Sequence, residues 1–460
     1  MRPLKLLASR TGLLLVGLDA GLLAACWAGA MAWHGPGAAV GWVLPLMQLA
    51  MLHALGLHRR DSVLEVRTAM ARLPLAVGLA LAAGWCLDQG WALLTGLPQS
   101  LSAETLVLAA SVFAACGATA RLVLFALLRG GLLRRRLMVV GAGQRAAELA
   151  AAVAPQGGHL QFDIVFVHDP ALGPREPELG RGAGQAVVMA TDGNYLRLAL
   201  AHDVDQIVVA PDERRGMRLE WLLDCKKAGF PVIQYLAFVE REARRVDLRW
   251  MELGWLLYSD GFRFRAIDRF LKRMLDVAVS LVLLVPGSLA MLAGALAIRW
   301  EDGGPVLYGQ TRVTQDGRTF RILKLRTMRV DAERGGAVWA ASGDSRITRV
   351  GHFLRQSRID ELPQLVNVLR GEMSLVGPRP ERPEFTGDLA ERIPLYHERH
   401  SVKAGLTGWA QINHPYGASI EDARAKLGYD LYYVKNFSIG FDLLIILQTL
   451  RLVIFPSGAR

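Results

Sequence analysis

Leu137-Met-Val-Val-Gly-Ala-Gly-Gln-Arg-Ala146 runs four apolar residues into a glycine turn and on into an alanine-rich helical pattern over 144–154. Asp163–His168, Gln206–Ala210 and Pro231–Leu236 repeat the strand pattern, and 195–203 and 216–228 repeat the helical one. Strands alternating with helices predict a doubly wound parallel sheet, a Rossmann-like α/β domain over 134–250. Gly141 and Gly143, with Ala146 in third place, match the start of a G-x-G-x-x-G/A turn, which lets a pyrophosphate approach a helix N-terminus. Many such turns bind nothing, so nucleotide binding stands here beside a scaffolding or regulatory role.

Upstream of this domain the composition changes. The chain is 52% hydrophobic, high for a soluble protein, and the excess lies in the first 130 positions and again near 277–298. Residues 12–33, 38–57, 72–95 and 104–128 are each about long enough to cross the ~30 Å hydrocarbon core, which predicts a four-helix transmembrane bundle within a domain 1–133. Arg2, Lys5 and Arg10 precede the first segment, His58-Arg59-Arg60 with Arg67 and Arg72 separate the second from the third, and Arg129 with Arg134-Arg135-Arg136 follows the fourth. The other two connections carry no Lys or Arg, so the positive-inside rule puts both ends of the bundle in the cytoplasm. A buried helical core lacks that asymmetry. The first segment is too long, and lacks the small-residue cleavage pattern, for a removable signal. Asp19 and Arg121 lie within spans and are expected to face the bundle interior, because lipid penalises them.

The net charge of +11 suits an anionic lipid surface or phosphorylated substrates, and in a membrane chain these displace nucleic acid as the expected partner. The four cysteines, Cys26, Cys86, Cys116 and Cys225, have no zinc spacing and imply no disulfide framework.

Val277–Ile298 carries Pro286-Gly287 mid-segment and basic residues at both ends, Lys272-Arg273 and Arg299. Proline removes a backbone hydrogen bond, so a helix–break–helix hairpin, re-entrant and broken at Pro286, fits charge and geometry together. A straight fifth span is the competing reading; it puts the last 160 residues on the far side of the membrane.

Gly351-His-Phe-Leu-Arg-Gln-Ser-Arg-Ile-Asp-Glu-Leu-Pro-Gln-Leu-Val-Asn-Val-Leu-Arg-Gly-Glu-Met-Ser-Leu-Val-Gly-Pro-Arg-Pro-Glu381 is the richest stretch in chemistry. Asp360 precedes an apolar helical pattern at Leu362, Leu365, Val366 and Leu369, which by itself reads as a helix N-cap. Asp360 and Glu361 are however adjacent acids, and Arg355, Arg358, Arg370 and Arg379 flank them. Two carboxylates amid arginines suit Mg2+ with substrate phosphates, and a carboxylate can itself attack phosphorus to split one transfer into two. In Phe320-Arg-Ile-Leu-Lys-Leu-Arg-Thr-Met328 the strand alternation turns Lys324 and Arg326 to one side, either as phosphate ligands or as a solvated basic face. Lys403–Ile412 reads as a close-fitting loop in which Trp409 either packs in the core or covers a base or sugar.

With Lys272-Arg-Met-Leu-Asp276, the proline-broken segment, Lys324-Leu-Arg-Thr-Met328, Asp360-Glu-Leu-Pro-Gln-Leu365, Gly371-Glu-Met-Ser-Leu-Val-Gly-Pro-Arg-Pro380 and Gly405-Leu-Thr-Gly-Trp-Ala-Gln411 in this order, residues 265–460 resemble the bacterial sugar transferase family, the polyprenyl-phosphate hexose-1-phosphate transferases of exopolysaccharide and O-antigen synthesis. The bundle and glycine-turn domain resemble the N-terminal part of its long members. The resemblance implies a re-entrant membrane helix and a compact α/β catalytic domain at the cytoplasmic face of the bacterial inner membrane. It implies a ping-pong transfer of hexose 1-phosphate from a UDP-sugar to undecaprenyl phosphate with release of UMP, Asp360 being the nucleophile, Glu361 with Asp360 the magnesium site, Arg355 a phosphate contact, and Lys324, Arg326 and Arg379 further phosphate or nucleotide contacts. Three residues depart from the family's usual pattern: Leu325 for Phe, Ala404 for Pro, and Val285 for a polar residue before Pro286. Gly254–Arg263 and the stretch from Pro415 resemble a subgroup linked to exported-protein sorting. A homo-oligomer is allowed and not specified, and nothing in the sequence reads out the sugar.

Two rivals remain at this level. A membrane-anchored nucleotide-sugar dehydratase or epimerase needs a Tyr-x-x-x-Lys pair, and after the middle domain Tyr432 and Lys435 stand three apart, not four. A nucleotide-sensing scaffold of polysaccharide assembly leaves the Asp-Glu and basic clusters without a role.

Overall fold

The computed structural model describes residues 10–454 apart from 35–39, 60–61, 63–64, 97–101, 154–160, 183, 190–193, 252–253, 255–260, 263–264, 331, 333–343, 345, 415–416 and 418. The chain forms two compact units, residues 1–250 and 251–460. Most of Gly254–Arg263 and the Pro415-Tyr416 start of the other sorting-linked stretch lie outside the described residues.

In the first unit, α1 (Arg10–His34), α2 (Val40–Ala54), α3 (Val66–Thr95) and α4 (Ala103–Arg129) pack each on the next, with α1 closing on α4. α1, α3 and α4 are long and apolar enough to cross a membrane; among the described residues so is one helix of the second unit. Over the second expected span, α2 is a shorter apolar helix containing Pro45, and the chain leaves it in turns that bury Leu55 and Leu57. Asp19 and Arg121 meet inside the bundle, where Arg121 Nη2 and Nη1 donate to Asp19 at 2.6 and 3.0 Å and His58 Nε2 lies 2.9 Å from the same carboxylate. A charge removed from water in an apolar bundle needs such a partner.

The same unit holds a five-stranded parallel sheet of order β3-β2-β1-β4-β5, made of β1 (Arg135–Val140), β2 (Phe162–His168), β3 (Gln185–Met189), β4 (Gln206–Val209) and β5 (Val232–Gln234). Helices α5 (Gln144–Val153), α6 (Tyr195–Ala201), α7 (Leu219–Lys227) and α8 (Tyr235–Ala243) connect and cover it. Met138, Val140, Val167, Tyr195, Ile207 and Cys225 share its core. This is the expected doubly wound domain, with β3 and α8 added to the elements legible in the sequence. The strand order reverses between β1 and β4, the place where such sheets bind ligands.

The second unit is organised on α9 (Ala266–Asp302). The expected separation into two helices at Pro286 is corrected: one helix of 37 residues, about 55 Å at 1.5 Å per residue, runs through the proline. One face of α9 is buried at Asp276, Ser280, Gly287, Gly294 and Ile298, and the other is exposed and apolar, Val282, Val285 and Leu289 each above 69%. The buried face carries small residues because the domain presses on it: a Cβ at Gly294 would sit 3.0 Å from Leu325 and 3.1 Å from Leu354. That continuous contact stabilises a helix that proline alone would weaken by roughly 3 kcal/mol.

The remaining elements are the antiparallel pair β6 (Leu307–Val313) and β7 (Thr319–Leu325), α10 (Arg349–Gln356), α11 (Gln364–Arg370), β8 (Ser374–Val376), α12 (Pro383–Arg392), β9 (Gly405–Thr407), α13 (Trp409–Asn413), α14 (Ile420–Lys435) and α15 (Ile439–Ile454). Parallel β8 and β9 pair Ser374 with Gly405 and Val376 with Thr407. Both ends of α9 are tied to this one domain. At its start Lys272 meets Asp442 at 2.7 Å and Arg273 donates to the carbonyls of Val368 and Leu369 at 2.6 Å; at its end Asp302 pairs with Arg326, and Glu301 accepts from Arg349 N at 2.9 Å.

Candidate active site

α10 starts at the N-cap Thr348, whose hydroxyl accepts from Gly351 N at 2.9 Å. It ends at Ser357, and Arg358 then takes a left-handed conformation, φ 61°, that turns the chain into a single 3-10 turn, Ile359–Glu361. α11 begins only after Pro363, so the helix N-cap reading of Asp360 fails. Asp360 is 6% exposed, and its Oδ1 is buried without a hydrogen-bond partner among the described residues.

Glu361 is surrounded differently. Its Oε1 lies 3.2 Å from Lys324 Nζ, 3.3 Å from Arg379 Nη2 and 4.0 Å from Arg358 Nη1. Burial resists ionisation of Glu361, but Lys324, Arg379 and Arg358 outweigh it and hold the carboxyl well below the usual range. Asp360 goes the other way: burial, then the charge of Glu361, push it up to about 6 against the pull of Lys324, Arg355 and Arg358. Two adjacent acids thus have separated affinities for the proton, an arrangement that assigns them different tasks.

Lys324 and Arg379 reach the Glu361 carboxylate, and Arg355, whose Nε donates to Thr327 Oγ1 at 2.9 Å, acts on Asp360 through its charge. Arg326 is not brought in. It follows the last residue of β7, where the strand alternation no longer sets side-chain direction; itself 7% exposed and packed against Gly304, it pairs instead with Asp302. Arg312 is a residue the sequence reading missed. It lines a narrow cavity of about 20 Å³ with Lys324, Glu361, Gln364 and Arg379. Only the β6–β7 register, with Arg312 opposite Phe320 and Tyr308 opposite Lys324, places it there.

The loop bearing Arg379 is fixed from two sides. Arg399 Nη2 donates to the Arg379 carbonyl at 3.1 Å while pairing with Asp430 at 2.8 Å, and Tyr433 Oη donates to the Val376 carbonyl at 3.1 Å. A Cβ at Gly405 or Gly408 would collide with the backbone of Gly377, so these glycines serve close chain contact. Trp409 is core: it is 2% exposed, with its ring 4.9 Å from that of Phe441. Tyr432 and Lys435 are likewise buried, which removes the pair a dehydratase would need at a cofactor.

The glycine turn at Gly141 and Gly143 ends at α5 in the first unit. Asp212, from the segment after β4, accepts from Gln144 N at 2.7 Å and Arg145 N at 2.8 Å. The amides that could face a phosphate are held by the protein's own carboxylate.

Residues 267–456 match the family model described as Bacterial sugar transferase. Over 190 residues the chain is 44% identical to a UDP-glucose:undecaprenyl-phosphate glucose-1-phosphate transferase of Caulobacter vibrioides, covering 41% of this chain and 71% of that protein. The chain belongs to the bacterial sugar transferase family. To the exopolysaccharide production protein PSS of Rhizobium leguminosarum bv. phaseoli the chain is 41% identical over 189 residues, 40% of this chain and 94% of that one. A UDP-N-acetylgalactosamine-undecaprenyl-phosphate N-acetylgalactosaminephosphotransferase of Aeromonas hydrophila is 40% identical over 265 residues, 57% of this chain; the chain spans 61% of that relative's length.

Proposed function

We propose that the protein transfers a hexose 1-phosphate from a UDP-sugar to undecaprenyl phosphate, as an early membrane step of exopolysaccharide or O-antigen synthesis. The observation that carries this reading is the contrast between Asp360, buried with a free oxygen, and Glu361, held by cations. In the first half-reaction an Asp360 oxygen attacks the β-phosphorus, the bond to the bridging oxygen breaks, and UMP leaves with that electron pair. In the second, a phosphate oxygen of undecaprenyl phosphate attacks the same phosphorus and returns Asp360 as carboxylate, giving the sugar linked through a diphosphate to the lipid. Lys324 and Arg379, with Arg312 beside them, oppose the charge that develops on the leaving phosphate.

Two neighbouring carboxylates, one with an uncommitted buried oxygen, form an oxygen donor set suited to magnesium, with substrate phosphates and water completing it. Asp360 and Glu361 would hold the ion, which supplies charge neutralisation on the donor diphosphate.

The two ends of α9 are held by one charged domain, which supports both ends of that helix lying at one face of the bilayer. The excess of Lys and Arg at the bundle ends supports the cytoplasmic side of the inner membrane for that face.

The test is UMP release by the purified full chain given undecaprenyl phosphate, Mg2+ and a panel of UDP-sugars. A donor labelled in the sugar should leave label on the protein when acceptor is withheld, and Asp360→Asn should abolish both signals. No UMP from any donor sinks the reading; full activity in Asp360→Asn removes Asp360 as nucleophile.

A further inference from the structure

The turn Ile359–Glu361 has two sides. Glu361 lines the cavity of cations, and Ile359 lines an open apolar groove of about 560 Å³ between α9 and α10. Asp360 stands between them in the chain. The floor of the groove is Ala290, Ala293, Gly294 and Ala297, which at i, i+3, i+4 and i+7 fall on one face of α9 and leave a trough by their small size. The opposite wall is α10, where Phe353 presents 63% of its surface while Leu354 beside it is 2% exposed in the core. Among the described residues Arg349 is the one basic residue of the lining, and Arg355 on the same helix acts on Asp360.

Along α9 the neighbouring side chains Leu289, Leu292 and Leu296 are exposed by 71%, 59% and 64%, so the groove opens on the helix's apolar flank and not on a polar surface. A lipid phosphate that attacks phosphorus on Asp360 must bring its head to this turn and lead its chain away across an apolar surface. Arg355 offers the charge that complements the head, and the alanine trough offers room for the branch methyls of an isoprenoid.

We propose that this groove binds the isoprenoid chain of the lipid-phosphate acceptor nearest its phosphate, between the small-residue face of α9 and Phe353. The assignment rests on the transfer reading given above. It divides the substrates at one turn, donor diphosphate on the Glu361 side and acceptor chain on the Ile359 side.

The full chain in lipid nanodiscs tests it with two variants, Ala293→Phe, which fills the trough, and Phe353→Ser, which removes its wall. UMP release in a single turnover without acceptor reads the donor half alone, and steady-state turnover against undecaprenyl phosphate reads the acceptor half. We expect the single-turnover release to stay at the wild-type level and the KM for undecaprenyl phosphate to rise at least about tenfold, the factor that 1.4 kcal/mol of lost binding produces. An unchanged acceptor KM in both variants overturns the proposal and leaves the groove to bilayer lipid or a second copy. Equal loss of both half-reactions in both variants also overturns it, since the groove would then shape the whole turn. If Ala293→Phe alone loses the donor half, Phe353→Ser decides. No UMP release by the wild type sinks the transfer reading itself, a separate outcome.

Discussion

Lys324 Nζ of β7 stands 3.2 Å from Glu361 Oε1 in the turn that carries Asp360. The contact joins the β6–β7 hairpin to the turn between α10 and α11, and it keeps Glu361 ionised inside a buried pocket. Replacing Lys324 by Met removes the nearest cation and should lower kcat/KM for the donor by roughly 10²–10³-fold, the usual cost of one preorganised charge-stabilising donor. Lys324→Arg should recover part of it. Initial rates of UMP release against donor concentration check this, and a loss under about threefold would show the contact to be structural.

Arg326 should behave otherwise. Its partner is Asp302 at the end of α9, so Arg326→Ala should leave the donor KM within about threefold of wild type while lowering stability by on the order of 1–3 kcal/mol, through an uncompensated partner and lost packing. Thermal unfolding of the variant beside its donor kinetics separates the two effects.

Gly351 bears on Arg355 through Thr327. A Cβ there would collide with the Thr327 carbonyl, whose side chain accepts from Arg355 Nε at 2.9 Å. Gly351→Ala should cost about 1–3 kcal/mol by displacing α10, and should reduce label transfer to Asp360 more than donor binding. Unfolding and single-turnover labelling measure the two.

His400 is 8% exposed, and burial, then the charges of Arg399 and His397, pull its imidazole down from 6.5 to about 4. The unfolded chain therefore takes up this proton at a higher pH than the folded one. The group's stabilisation is complete above 6.5 and is lost as pH falls from there through 4, on the order of 3 kcal/mol in all. His400→Phe should flatten that part of the stability profile; the difference between wild-type and variant unfolding curves at pH 7.5 and 5 tests it.

Asp212 caps α5 at the glycine turn. Asp212→Ala should cost about 1–2 kcal/mol, as lost caps do, and should speed hydrogen exchange at the Gln144 and Arg145 amides. Unchanged exchange there would mean that the carboxylate does not hold these amides in solution.

The parts legible in the sequence share one property: their signal is local. Met138 and Val140 fall on a strand, Gly141 turns it, and the strand pattern recurs three more times, so the parallel sheet follows from short-range pattern. β3 escaped because Gln185-Ala-Val-Val-Met is short and half-buried, with neither a clear alternation nor a long apolar run to mark it. The adjacency of Asp360 and Glu361 is likewise local, as is their basic surrounding. Arg312 was invisible because only hairpin register brings it beside Lys324, and Arg326 misled because strand alternation stops at Leu325. The proline expectation erred for a related reason: Pro286 weakens an isolated helix, whereas α9 is supported along one whole face.

What the amino-acid order determined alone is therefore the set of chemical groups and the segments that carry them: apolar spans, a glycine-turned sheet, a pair of acids among arginines. Which acid is strained by burial and which is neutralised, which arginine serves the pocket and which ties down a helix end, was decided by tertiary structure. Those outcomes depend on desolvation and on charges a few ångströms apart, and both are set by residues far along the chain.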